Sequence, residues 1–132
     1  MNQNQWSPQF PSMRTEVQYA VATLADEDYQ DQVWVKGVFP RDPYLYDFDA
    51  ACHMLLDDAD IMDESDRLIG AILRDEREVG VLRCLGETLL TLIDDISAVG
   101  TFEDARRSSK WPPVVAAAKE ASKVIGRPLE FP

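Results

Sequence analysis

The chain has 132 residues, of which 45% are hydrophobic and 28% are charged, and this composition predicts one soluble globular domain rather than a disordered chain. It carries 24 acidic and 13 basic residues, and the net charge of −11 disfavours direct binding to nucleic acid or anionic membranes and favours a basic protein partner. No apolar run is long enough to cross a bilayer and the N-terminus lacks a signal-peptide pattern, so a cytoplasmic protein is expected.

The N-terminal segment predicts an arm followed by a helix. Residues 1–11 contain two prolines and several polar amides, and we expect them to form a flexible arm. Ser12 stands at an N-cap position, and apolar residues then recur at helical spacing, which predicts a first helix over 13–25. A single domain is expected over 12–126, with 127–132 as a C-terminal tail.

The next segment supports two interpretations. Asp26 is predicted to cap a second, short helix that ends near Trp34. The sequence QVWVKG also alternates and is rich in residues that favour strands, so a small sheet near 30–37 is the alternative, which would make the fold α+β. A loop with two prolines and a glycine follows over 37–46.

Two further helices are predicted from the middle of the chain. Asp47 is expected to cap a third helix, which ends in the sequence DDAD. Its inner face consists of Phe48, Ala51, Cys52 and Leu55. Asp63 or Ser65 is expected to open a fourth helix that continues through Leu73.

The C-terminal half predicts the longest helix and a closing helix. Apolar residues step by three and four over 76–97, and this seam marks a central helix. The seam consists of Leu82, Leu85, Leu89, Leu92 and Ile96. Pro112 is expected at the first position of the closing helix and Gly126 at the C′ position just beyond its end, and the alanines of this helix permit close packing. The predicted fold is a mainly α-helical single-domain bundle of about five or six helices.

The two cysteines, Cys52 and Cys84, lie in apolar helical patterns. We interpret them as buried, reduced thiols, with a disulfide as the alternative.

Residues 47–66 contain eight acids and one histidine. In a helix, Asp49, His53 and Asp57 would share one face, and carboxylates with imidazole are ligands for zinc, manganese or iron. Positions i, i+4 and i+8 span about 12 Å, however, which is too far to converge easily on one ion. Neither a metal nor a cofactor is therefore predicted. An acid–base enzyme centred on His53 is a second hypothesis, although no nucleophile or phosphate-binding motif accompanies it and no catalytic residue is assigned.

The third hypothesis is a contact face. Carboxylates beside aromatic residues combine charge steering with side chains that can anchor a partner. The predicted partner-binding residues are Tyr44, Tyr46, Asp47, Asp49, His53, Asp57, Asp58, Asp60 and Asp63. A row of aspartates that also includes Asp66 could mimic phosphates in the basic cleft of a nuclease. The alternative is that these acids serve as helix caps and solvated surface.

Several short motifs resemble a family of small, acidic, largely uncharacterised bacterial proteins. They are Val33–Trp34, the sequence YDFD at 46–49, the sequence HMLLDD at 53–58, IGAILRDEREV at 69–79 and WPPVVAAAKEA at 111–121. The resemblance spans about 30–121 and matches His53 to a family histidine, but it implies no reaction.

The size, the acidity and the lack of catalytic motifs are similar in kind to immunity proteins, including those of contact-dependent growth-inhibition systems. This likeness carries no residue correspondence. It predicts a non-enzymatic binding protein that neutralises a basic toxin by covering its active site.

Overall fold

The structure of the chain, a computed structural model, describes residues 6–37, 47–63, 66–96 and 102–126. Within these ranges the regular structure is helical, apart from one isolated bridge between Ile69 and Leu73, so the prediction of a mainly α-helical fold is confirmed. The helices are α1 (Pro11–Ala25), α2 (Glu27–Tyr29), α3 (Phe48–His53), α4 (Glu76–Asp95), α5 (Phe102–Arg107) and α6 (Trp111–Ile125). Shorter segments are the π-helical extensions of α2 (Gln30–Val35) and α3 (Met54–Asp58), and a 3-10 turn (Asp66–Leu68).

Helices α1, α4 and α6 form the centre of the molecule, where α6 packs against both of the others. The predicted seam of α4 is buried as far as Leu92, and each fully buried leucine contributes about 1.5–3 kcal/mol. Ala118 and Ala121 of α6 are also fully buried. Because an alanine side chain is small, α6 can pack closely against both of its neighbours.

An aromatic cluster joins the remaining helices to this centre. The Phe102 ring lies 4.9 Å from the Trp34 ring and 5.3 Å from the Trp111 ring, measured between centroids. Phe48 packs edge-on against Trp111 at 5.9 Å. These edge-to-face contacts hold α3, α5 and the extension of α2 against the start of α6.

The segment over 30–37, for which a small sheet was the alternative, is helical up to Val35. Asp26 caps α2, as predicted, by accepting a hydrogen bond from the Tyr29 N–H at 3.0 Å. The buried Gln30 side chain donates to the carbonyls of Thr23 and Leu24 at 2.8 and 2.9 Å. The sheet alternative fails because Gln30 satisfies the last carbonyls of α1 and so joins the two helices end to end.

The predicted fourth helix through Leu73 is wrong. Gly70 has a φ of 89°, and this left-handed conformation ends the 3-10 turn that begins at Asp66. The N–H groups of Ile72 and Leu73 both bond to the Leu68 carbonyl, which closes a tight turn. The result is a loop, because glycine reverses the chain where a helix would have continued.

The N-terminal segment pairs with this loop. Gln9 and Phe10 donate their backbone N–H groups to the carbonyls of Gly70 and Ala71 at 2.9 and 2.8 Å. The predicted N-cap at Ser12 is wrong: α1 begins at Pro11, whose fixed φ suits the first helical position. The predicted boundaries of the arm, the domain and the tail stay predictions.

A buried ion pair connects four parts of the fold. Arg14 of α1 binds Glu78 of α4 through two hydrogen bonds, of 2.7 and 2.9 Å. It also donates to the carbonyls of Ile72 and Ile125 at 3.1 and 3.3 Å. Glu78 accepts a third hydrogen bond, from the Arg74 N–H, so its buried carboxylate is fully partnered.

None of the helices in the described ranges combines the length and the apolar character needed to span a bilayer.

Candidate partner-binding face

Helix α3 and its extension place the acidic stretch on the surface. Asp47 caps α3 by accepting a hydrogen bond from the Ala50 N–H at 2.7 Å, as predicted. The predicted inner face, which consists of Phe48, Ala51, Cys52 and Leu55, is buried. The opposite side of the helix therefore faces solvent, and we call the exposed Asp47, Asp49, His53, Asp57 and Asp58 the acidic face.

Asp49, His53 and Asp57 lie together on the acidic face, as their spacing predicts. The His53 Nδ1 lies 2.6 Å from an Asp57 oxygen, and Nε2 lies 3.5 Å from an Asp49 oxygen. The hydrogen bond with Asp57 and the negative charge of Asp49 raise the pKa of His53. Both carboxylates therefore stabilise the imidazolium form relative to that of a free histidine.

A metal ion at this cluster would have to compete with protonation of His53. Both ring nitrogens already face carboxylates, and a metal binds only a deprotonated nitrogen. Within the part of the chain that the structure describes, no group of three or more His, Cys, Asp or Glu side chains is arranged to hold a metal ion.

Asp60 and Asp63 belong to a second cluster, around Arg67. Arg67 donates through Nε to Asp63, and its Nη2 lies 3.5 Å from Asp60. These contacts, led by the hydrogen bond with Asp63, raise the pKa of Arg67. The predicted continuous row of aspartates is thus divided, because this arginine, which directly follows the stretch, folds back on it. The i, i+4 spacing of Asp63 and Arg67 is a sequence signal for that pair.

Three predicted features fall outside what the structure describes. Tyr44 and Tyr46 lie outside the described residues, and so does the side chain of Asp66.

An apolar groove that the sequence did not predict adjoins the acidic face. It lies between the α3 segment and α4, and we call it the α3–α4 groove. Its lining consists of Cys52, His53, Leu56, Asp57, Met62, Leu90 and Ile93. Leu90 is 46% exposed, whereas most large apolar side chains of the described residues are buried or partly buried. Leu90 and Ile93 lie beside the buried seam of α4. Because they are three residues apart, they form a second apolar stripe on this helix, which could have been detected from the sequence.

The α3–α4 groove depends on a glycine of α4. A Cβ atom added at Gly86 would lie 2.5 Å from the Met62 sulfur and 3.3 Å from the Ile61 Cδ1. The absence of a side chain there lets Ile61 and Met62 lie directly on the helix. Gly86 therefore positions Met62 at the side of the groove.

The two cysteines differ in environment. Cys52 is buried, and burial together with the nearby aspartates raises the pKa of its thiol to about 12, so it does not supply a thiolate at neutral pH. Cys84, predicted to be buried, is exposed because it lies on the side of α4 away from the seam. Both thiols are free.

One comparison with known proteins gives a match. A sequence model of the family described as a domain of unknown function (DUF7945) matches residues 8–128. The match agrees with the resemblance to an uncharacterised family, and it says nothing about the likeness to immunity proteins. Searches of curated proteins and of solved structures found no match.

Proposed function

We propose that this chain, which belongs to the DUF7945 family, is an acidic, non-enzymatic binding protein whose partner is a basic protein. The observation that carries the proposal is the acidic face, where exposed carboxylates stand on a rigid helix within a chain of net charge −11. Complementary potentials of this kind accelerate association with a positively charged partner.

The proposal includes a toxin as the partner and a cytoplasmic setting. Exposed carboxylates on one face resemble the phosphates that a nuclease binds, so the acidic face is suited to cover a nuclease active site. The small size and the acidity are those of an immunity protein. Two free thiols support a reducing compartment.

The acid–base enzyme remains the second candidate, and one observation favours it. His53 is an exposed imidazole whose protonated form is favoured by two carboxylates, which is the arrangement of a general acid. One variant distinguishes the two candidate functions. His53→Ala keeps the four aspartates of the acidic face and should weaken partner binding without abolishing it, whereas it should abolish any activity of an enzyme centred on His53.

Charge reversal tests the first proposal. The candidate partner to test first is the product of the gene immediately upstream. We expect Asp57→Lys with Asp58→Lys to slow association with this product by at least about tenfold at low salt. Added salt should reduce this difference, because it screens exposed charges. The matched control is Glu103→Lys with Glu120→Lys, an equal charge change at exposed positions on α5 and α6, which should leave most of the association rate intact. Equal losses in both double variants would contradict a localised binding face.

A further inference from the structure

We propose that the α3–α4 groove receives an apolar side chain from a basic, amphipathic segment of the protein partner. This inference rests on the proposed function, because it identifies where on the surface a basic partner is held. It adds an apolar anchor to a site that the acidic face alone would define only by charge.

The shape of the groove fits one or two apolar side chains. Cys52 and Leu56 stand one helical turn apart on one wall, and Leu90 and Ile93 stand one turn apart on the other. A helical turn rises about 5.4 Å, so the apolar floor is short. Leu90, at 46% exposed, projects at the surface where an incoming side chain would cover it. Such partly exposed apolar residues gain most when a partner excludes water from them.

The charges around the groove select a cationic partner segment. His53 and Asp57 form part of the lining, and no Lys or Arg contributes to it among the described residues. Asp58 is exposed beside Asp57, and the exposed Asp94 follows Leu90 by one turn on α4. Exposed acids therefore follow the lining residues along both the α3 segment and α4. An apolar side chain in the groove with Lys or Arg one turn away would meet carboxylates on either side.

The same charges disfavour the other occupants of an apolar groove. A second copy of the chain would bring another net charge of −11 against the acidic face. An anionic membrane surface would be repelled for the same reason. A basic protein segment is the occupant whose charge and apolar content both match.

A synthetic peptide with Leu on one helical face and Lys on the other is the probe. We expect its addition to shift the NMR amide signals of residues 52–57, 62 and 90–94. Leu90→Gln should weaken binding by about tenfold, since it removes the exposed wall of the groove. Val35→Gln is the matched control, because Val35 is comparably exposed, at 41%, on another segment and should leave affinity unchanged.

Two control peptides make the test decisive. Replacing every Leu of the peptide with Gln keeps the charge and should abolish the shifts around Leu90, whereas replacing every Lys with Glu keeps the apolar face and should abolish binding. Equal binding by either control peptide, or shifts centred elsewhere, would overturn the inference. So would Leu90-dependent binding to phosphatidylserine vesicles or Leu90-dependent dimerisation, because each identifies a different occupant.

Failure of this inference is separable from failure of the proposed function. If Leu90→Gln binds the upstream gene product like wild type while Asp57→Lys with Asp58→Lys does not, the groove is not used and the basic partner stands. If the peptide occupies the groove but the upstream gene product does not bind, the toxin proposal fails and the groove remains a docking site.

Discussion

His53, the single histidine of the chain, adds a group that can carry a positive charge to the acidic face. Its pKa is raised chiefly by the hydrogen bond with Asp57, so the protonated form is stabilised in the folded protein. The sign of the pH dependence of stability follows from proton linkage. The interaction of His53 with Asp57 stabilises the folded protein fully below the unfolded-state pKa of about 6.5, and this stabilisation is lost as the pH rises through the higher folded-state pKa. The acidic face becomes more negative over that same rise.

Measurement of the His53 pKa tests the contacts of His53 with Asp57 and Asp49 on the acidic face. We expect Asp57→Asn to lower it towards the usual value of about 6.5, because the main cause of the shift is removed. Asp49→Asn should lower it less. An NMR titration of the imidazole signals gives both values without overlap, since no other histidine is present. A larger effect of Asp49→Asn than of Asp57→Asn would contradict the geometry.

The ion pair between Arg14 and Glu78 gives a prediction about the stability of the fold. We expect Arg14→Ala to lower the free energy of unfolding by about 3 kcal/mol or more, because it leaves the buried Glu78 carboxylate without its charged partner. Urea denaturation measures the loss. The control is Lys123→Ala, which removes an exposed pair with Glu120 and should cost under about 1 kcal/mol. Similar losses in the two variants would show that the Arg14–Glu78 pair is not structurally important.

At the scale of elements, local signals determined which helices could be predicted. The seam of α4 was clear because its leucines repeat at helical spacing, and the caps at Asp26 and Asp47 were clear because a cap is a local interaction. The prediction of a fourth helix failed at Gly70, where the apolar spacing continues although the backbone adopts a left-handed conformation. The pairing of Gly70 with Gln9 is non-local, and periodicity carries no information about it.

The two glycines of α4 give a prediction about this helix. Gly80 faces open space, so Gly80→Ala should stabilise the protein by about 0.5–1 kcal/mol through helix propensity. Gly86→Ala should lose stability relative to Gly80→Ala, because the added Cβ would displace Met62. Thermal unfolding compares the two.

Met62→Ala in the Gly86→Ala background provides the control for that comparison. It should make the cost of the Gly86 substitution smaller, since it removes the atoms that the new Cβ meets. Equal stabilisation by the Gly80 and Gly86 substitutions would contradict the packing of Met62 on α4.

At the scale of the whole molecule, only part of the candidate partner-binding face could be predicted from the sequence. The Asp49–His53–Asp57 arrangement lies on one helix, so spacing alone predicted it. The division of the acids by Arg67 and the groove beside Leu90 depend on how separate segments fold together. The bundle converts a run of acids into two clusters with different local charge, and the one on α3 contributes His53 and Asp57 to the lining of the groove.

A growth assay can test whether the acidic face neutralises a basic toxin, as we propose. The upstream gene is expressed alone, with the wild-type chain, and with the Asp57→Lys, Asp58→Lys variant. We expect growth to stop with the upstream gene alone, to return with the wild-type chain and to fail to return with the double variant. A harmless upstream gene, or full rescue by the double variant, would contradict it.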